Sequence, residues 1–134
     1  MDDSSDWMLR DEPPKATAKR TDVRWRAYQF SIQVVRLVND SSLPKVNASI
    51  LDQLLRSATS VGANLVEAKS ASSKRDFAKY YDIALKSANE TKYWLCLLRD
   101  ALGIPRDRIQ PLLQEAEELS NIIAASLLTM RNKR

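Results

Sequence analysis

Four side chains with usable chemistry recur along one stretch: Arg56, Ser60, Asn64 and Glu67 follow one another at intervals of four, four and three. In a helix that spacing places them along one stripe. A second carboxylate, Glu90, stands between Ser87 and Trp94 in a stretch that otherwise reads as buried. Two carboxylates can share acid and base work when their surroundings separate their pKa values, and inward glutamates of a helical bundle can hold paired metal ions. The composition argues against both. The chain has no histidine, which removes the commonest general base, the commonest zinc ligand and the Glu-x-x-His motif of di-iron bundles. No further inward carboxylate recurs at helical spacing. A buried carboxylate is costly unless it is paired and hydrogen-bonded, so Arg56, Asn64, Glu67 and Glu90 read as a structural polar set. Glu67 or Glu90 is expected to meet Arg56, Asn64 or a residue of a neighbouring chain. Cys96 falls on the outer face without a histidine to activate it, and Ser73-Lys74 lacks the glycines of a phosphate loop. The expectation is a protein without catalytic residues, metal or cofactor.

The elements that must position these residues follow from pattern. A chain of 134 residues suits one domain with a real core. Two glycines and a hydrophobic share of 44% do not have the turn-rich texture of a β protein; the fold class is all-α. Residues 1–21 mix Asp, Ser, Pro and Lys without periodicity, and Pro13-Pro14 opposes a continuous helix. They read as a flexible or loosely docked arm. Within it Trp7, Met8 and Leu9 are either a docking anchor or, as the preferred reading, incidental apolar residues.

Residues 22–134 form the domain. A first helix over 22–40 turns Val23, Ala27, Phe30, Val34 and Leu37 inward. The second, capped by Asn47 or Ser49 and running to Ser70, does so with Ile50, Leu54, Ala58, Val61, Leu65 and Ala68. The third opens at the capping-box-like Ser73 to Asp76, closes at Gly103, and carries Phe77, Tyr81, Ala84, Ala88, Thr91, Leu95, Leu98 and Leu102. The fourth has Pro111 in its first turn and Leu112, Ala116, Leu119, Ile123, Ser126 and Met130 on its stripe. Short connections predict an antiparallel, up-down-up-down four-helix bundle. Small residues from Ser57 to Ala63 opposite Ala84, Ser87 and Ala88 allow the second and third helices to approach closely. A further seam of the third helix, Tyr80, Ile83, Ser87, Trp94, Leu97 and Ala101, exceeds what a monomer covers and predicts a homo-oligomer.

The segment RSATSVGANLVEAKSASSKRDFAKYYDIALKSANETKYWLCLLRDALGI, Arg56 to Ile104, resembles the small four-helix-bundle proteins encoded within intervening sequences of bacterial large-subunit ribosomal RNA genes. Upstream, RAYQFSIQVVRLVNDSSLPK resembles the first helix and Leu-Pro-Lys turn of that family, and LLQEAEELSNIIAASL resembles its fourth helix. The resemblance implies a homopentamer with no enzymatic activity. A structurally similar bundle is the accessory variability protein of diversity-generating retroelements, a basic pentamer. That likeness implies RNA or DNA, and a reverse transcriptase, as partners.

Charge points the same way without any family. The formal net charge is +4. In an antiparallel bundle one pole collects Arg24, Arg26, Lys69, Lys74, Arg75, Lys79, Arg131, Lys133 and Arg134 against Asp22 and Asp76, while Glu115, Glu117 and Glu118 fall toward the other. Such a pole suits nucleic-acid phosphates. The competing reading is a protein-interaction scaffold whose charges only keep it soluble. No apolar run is long enough to span a membrane, the N-terminal residues are acidic where a signal peptide is basic, and one cysteine cannot build a disulfide framework. These features predict a cytoplasmic protein.

Overall fold

The computed structural model describes residues 6–9, 22–43 and 48–132. A 3-10 turn, Asp6–Leu9, precedes four helices: α1 (Val23–Val38), α2 (Ala48–Lys69), α3 (Lys74–Ala101) and α4 (Arg106–Asn132). Each helix packs against its neighbour in sequence, α1 also packs against α4, and neither diagonal pair of helices brings its backbones close. The chain is therefore all-α among the described residues, with a four-membered ring of helices around one core. Partner registers set the directions. Asp40 and Arg26 of α1 meet Arg108 and Glu118 of α4; Ser87 and Thr91 of α3 meet Ser60 and Ser57 of α2; Lys92 and Arg131 join α3 and α4 through Glu117 and Asp82. In every pair one number rises as the other falls, so neighbours run antiparallel.

The helix ends follow from capping chemistry. Asp22 is extended and accepts the Arg24 amide at 3.0 Å, starting α1. Ser73 accepts the Asp76 amide at 3.0 Å, a donor that the first turn of α3 leaves open, while the Asp76 carboxylate accepts the amide of Ser72, the residue before the cap, at 3.2 Å. Beyond α3, Gly103 takes φ +70°, a conformation costly for a residue with a Cβ. The buried Ile104 then returns its N–H to the Leu98 carbonyl at 3.2 Å. Asn47, one of the two expected caps of α2, lies outside the described residues, and Ser49 is already inside the helix.

Pro111 stands inside α4, which begins at Arg106 rather than at the proline. Fully buried Ile109 extends the apolar stripe backward, and Asp107 occupies the first turn. Pro111 removes the usual donor to the Asp107 carbonyl, but both residues are exposed, where water can replace it. Leu127, rather than Ser126, completes the stripe. The core is otherwise the one expected from periodicity, with Phe30, Val34, Leu54, Val61, Leu65, Leu95, Leu98, Leu119 and Ile123 at most 2% exposed. Among the described residues, no helix is long and apolar enough to cross a membrane.

Trp7 corrects the preferred reading of the N-terminal apolar residues. It is buried, with its ring centroid 5.0 Å from Trp25 and 4.6 Å from Tyr28. Trp7 is thus the docking anchor of its segment.

The polar set is corrected too. Glu90 is exposed, and its Oε2 accepts the Trp94 indole N–H at 2.9 Å within the same helix. It lies off the stripe defined by Ala88, Thr91 and Leu95, so its own chain does not bury it. Arg56 and Glu67 are exposed as well. Asn64 donates to the Ser60 carbonyl at 2.8 Å, one turn back along α2. The buried polar residues among those described are instead hydroxyls: Ser57, Ser87 and Thr91 at the α2–α3 contact, and Ser120 on α4.

Two outcomes follow for stability. Replacing Glu90 with Ala removes one partly exposed hydrogen bond, so urea unfolding should change by no more than about 1 kcal/mol; a loss of several would show that another chain buries this carboxylate. The Asp40 carboxyl, which closes the turn after α1, is held down at about 2 by the Ser42 hydroxyl, then by Arg108 and the Ser42 amide. A folded-state value below the ordinary 3.8 means that Asp40 contributes stability above that ordinary value and loses it as pH falls through about 2. Asp40→Asn should therefore lower the melting temperature at neutral pH and flatten its fall across that acid window.

Candidate nucleic-acid interface

The first turns of α3 separate two recesses at one end of the bundle. Spacing of two and four residues puts Arg75 and Lys79 on one side of that helix and Phe77 and Tyr81 on the other. On the first side Ser72, Ser73, Arg75, Asp76, Lys79, Asp82 and Arg131 line an open recess of about 680 Å³. Arg131, from the last turn of α4, donates to Asp82 at 2.7 Å. Arg75 and Lys79 are exposed and make no ion pair among the described residues. Lys74 is exposed on the same first turn.

On the other side Asp22, Arg24, Lys69, Phe77 and Tyr81 line a recess of about 400 Å³, with Val23 and Leu65 beneath. The two rings stack, with centroids 4.7 Å apart and planes inclined by 22°. Burial raises the Tyr81 phenol above its ordinary pKa of 10.0, with Arg24 opposing and Asp22 reinforcing the shift. Arg24, its side chain 16% exposed, reaches Asp22 only through Nε at 3.4 Å.

Arg26 does not belong to this end. Its guanidinium meets Glu115 at 2.6 Å and Glu118 at 3.0 Å. The Glu115 hydrogen bond is the main cause that raises its pKa, and Arg26 in turn holds Glu118 below the ordinary carboxylate range. The first helix therefore sits partway along α4, and two glutamates expected at the far pole neutralise a base expected at the near one. Lys133 and Arg134 lie outside the described residues. What the structure gathers at the end is Arg24, Lys69, Lys74, Arg75, Lys79 and Arg131 against Asp22, Asp76 and Asp82. At the opposite end Arg99 is held bidentately by Asp100, at 2.7 and 2.9 Å, and Arg108 by Asp40 at 2.8 Å.

Sequence reasoning assigned Phe77 and Tyr81 to the core and so missed that they line a recess. It also missed the groove of about 820 Å³ between α1 and α2, bordered by Trp7, Trp25, Tyr28 and Glu67. Trp25 was the available signal, since an aromatic residue between the inward positions Val23 and Ala27 widens the apolar face of α1. Among the described residues no three histidine, cysteine, aspartate or glutamate side chains gather as a metal site would require.

Comparison with known proteins gives a consistent placement. Residues 19–125 match the family described as 23S rRNA-intervening sequence protein. A crystal structure of a protein of unknown function from the S23 ribosomal protein family, from Bacteroides thetaiotaomicron VPI-5482, is similar at 32% identity and a TM-score of 0.69. The likeness covers 79% of this chain and 98% of that one. No curated protein matches. With the family match extending over most of the bundle and a solved relative sharing its fold, the chain belongs to the 23S rRNA-intervening sequence protein family.

Proposed function

We propose that this chain is a non-enzymatic, cytoplasmic, oligomeric protein that binds nucleic acid through the basic end of its bundle. The observation that carries the reading is the grouping of Arg75, Lys79 and Arg131 with the Ser72 and Ser73 hydroxyls around one open recess, where the carboxylates Asp76 and Asp82 are engaged by Ser72 and Arg131 and leave Arg75 and Lys79 in excess. Cations and hydroxyls placed together suit phosphate oxygens, and no base need be read for such contacts to hold. The family description supports a ribosomal RNA context. The two glutamates considered for acid and base work are both exposed, which supports a role without catalysis.

Oligomerisation multiplies that end. Ile83, Tyr93 and Leu128 are 37%, 62% and 62% exposed, and Trp94 and Leu97 of α3 are only half-buried. Apolar surface of this kind favours self-association. Light scattering at micromolar concentration should return a multiple of 15.2 kDa, with five chains as the expected number. A stable monomer mass would remove the oligomer from the proposal.

The charge reading is tested by reversing Arg75 and Lys79 together to Glu. Both side chains are exposed and point away from Phe77 and Tyr81, and acids in the first turns of a helix suit its dipole, so the fold should survive. Affinity for RNA and duplex DNA should fall at low salt. The slope of log affinity against log salt should flatten by about two per binding chain, since each phosphate contact contributes roughly 0.7 to 0.9. A wild-type protein that binds neither at low salt would leave the scaffold reading in its place.

A further inference from the structure

We propose that the recess between α1 and α3 is a nucleotide pocket, in which Phe77 stacks an unpaired base and Arg24 holds the adjoining phosphate. The inference rests on the nucleic-acid reading above and adds that the ligand has unpaired bases at this position. Three observations carry it. Phe77 follows the inward spacing of α3, yet it is half-buried and absent from the hydrophobic core cluster, whereas Tyr81 one turn later packs against that cluster. Its ring stacks on Tyr81 at 4.7 Å and both line the recess. The start of α1, with Asp22, Val23 and Arg24, and the end of α2, with Leu65 and Lys69, form the wall of the recess that faces Phe77 and Tyr81.

Arg24 supplies the second half. Its side chain is largely enclosed, its contact with Asp22 is long and uses only Nε, and its two terminal nitrogens make no hydrogen bond among the described residues. A guanidinium in that state presents two parallel donors, the arrangement that suits a phosphate bidentately. Lys69 adds a second positive charge to the same recess. The volume, about 400 Å³, suits one nucleotide unit rather than a duplex. Aromatic stacking tolerates any base, because every base has a π face. The Arg75 and Lys79 surface on the other side of α3 then follows the backbone of the same strand.

The experiment compares a short single-stranded RNA with a blunt RNA duplex of equal charge, using full-length wild type, Phe77→Leu and Phe77→Trp. Phe77→Leu retains an apolar side chain but removes the ring, while Phe77→Trp retains a ring; melting curves confirm that each variant is folded. Phe77→Leu should weaken the single strand roughly tenfold and leave the duplex unchanged, and Phe77→Trp should bind the single strand as wild type does. Arg24→Gln should weaken the single strand as well. Wild-type binding of both ligands that Phe77→Leu leaves unchanged, or weakens equally, overturns the pocket while the basic-end reading stands. Should Phe77→Leu fail to fold, loss of single-strand binding in Phe77→Trp overturns the pocket. Absence of binding by wild type to either ligand at low salt overturns both.

Discussion

The contact between α2 and α3 is the constraint on which the rest of the bundle depends. Ala58, Ala84 and Ala88 are at most 1% exposed and carry almost no bulk, so the two backbones lie close. The polar atoms caught between them form a chain. Thr91 donates to the Ser87 carbonyl at 2.7 Å and lies 2.9 Å from the Ser57 hydroxyl; Ser87 and Ser60 hydroxyls are 2.8 Å apart; Asn64 closes the run on Ser60. Each hydroxyl satisfies a neighbour, which is the condition under which buried polar groups are tolerated. A larger side chain at any of these sites would separate the helices; Ser57 and Thr91 also donate to the Leu54 and Ser87 carbonyls of their own helices, whereas Ser87 depends on Ser60. The small-residue run from Ser57 to Ala63 is thus explained on its α3 side by close approach and hydrogen bonding. On its other side Gly62 faces Ala27 of α1, where an added Cβ would lie 3.4 Å from the Ala27 Cβ, close enough that only a residue as small as alanine would fit.

Periodicity made this much legible because it reports which face of a helix turns inward. Nearly all of the expected stripe residues are buried or half-buried, and Gly103 and Ser73 mark the ends of α3 by their backbone and side-chain chemistry alone. Periodicity does not report how far along its neighbour a helix begins. Arg26 was placed at a pole because α1 was assumed level with α3 and α4; its pairing with Glu115 and Glu118 requires an axial offset that no single helix encodes. Phe77 satisfies the stripe, but it stands in the first turn of α3, where the end of the bundle leaves it half-buried in a recess shared with Asp22, Val23 and Arg24. Glu90 failed differently. Its neighbours Ser87 and Trp94 suggest burial, yet an indole N–H one turn away supplies a local partner and the bundle of one chain leaves the carboxylate exposed. Pro111 misled because the preference for proline at a helix start is statistical, whereas Ile109 and Asp107 already favour a helix that starts earlier.

The offset has one cause with two effects. At about 1.5 Å per residue, α1 with its 16 residues is about 24 Å long and α3 with its 28 about 42 Å. A helix of that length cannot run beside the whole of its longer neighbours. Because the end of α1 is tied by Asp40 to Arg108 near the start of α4, its start lies beside Lys69 at the end of α2 and stops short of the end of α4. The same placement draws Arg26 down to the glutamates of α4 and opens the recess beside Phe77 and Tyr81.

The surviving positive charge at that end depends on how its acids are used. The starts of α1 and α3 and the ends of α2 and α4 meet there, so the helix dipoles largely oppose one another and the side chains decide the field. Asp22 and Asp76 direct oxygens at backbone donors of the two helix starts, and Asp82 engages Arg131. None of these acids contacts Arg75 or Lys79. At the opposite end acids reach the guanidinium groups themselves, Asp100 on Arg99 and Asp40 on Arg108. Asp76 at the start of α3 therefore leaves Arg75 and Lys79 open to solvent, and Asp22 caps α1 while reaching Arg24 only through Nε at 3.4 Å. This division of labour, rather than the net charge of the chain, gives the bundle one end suited to anions.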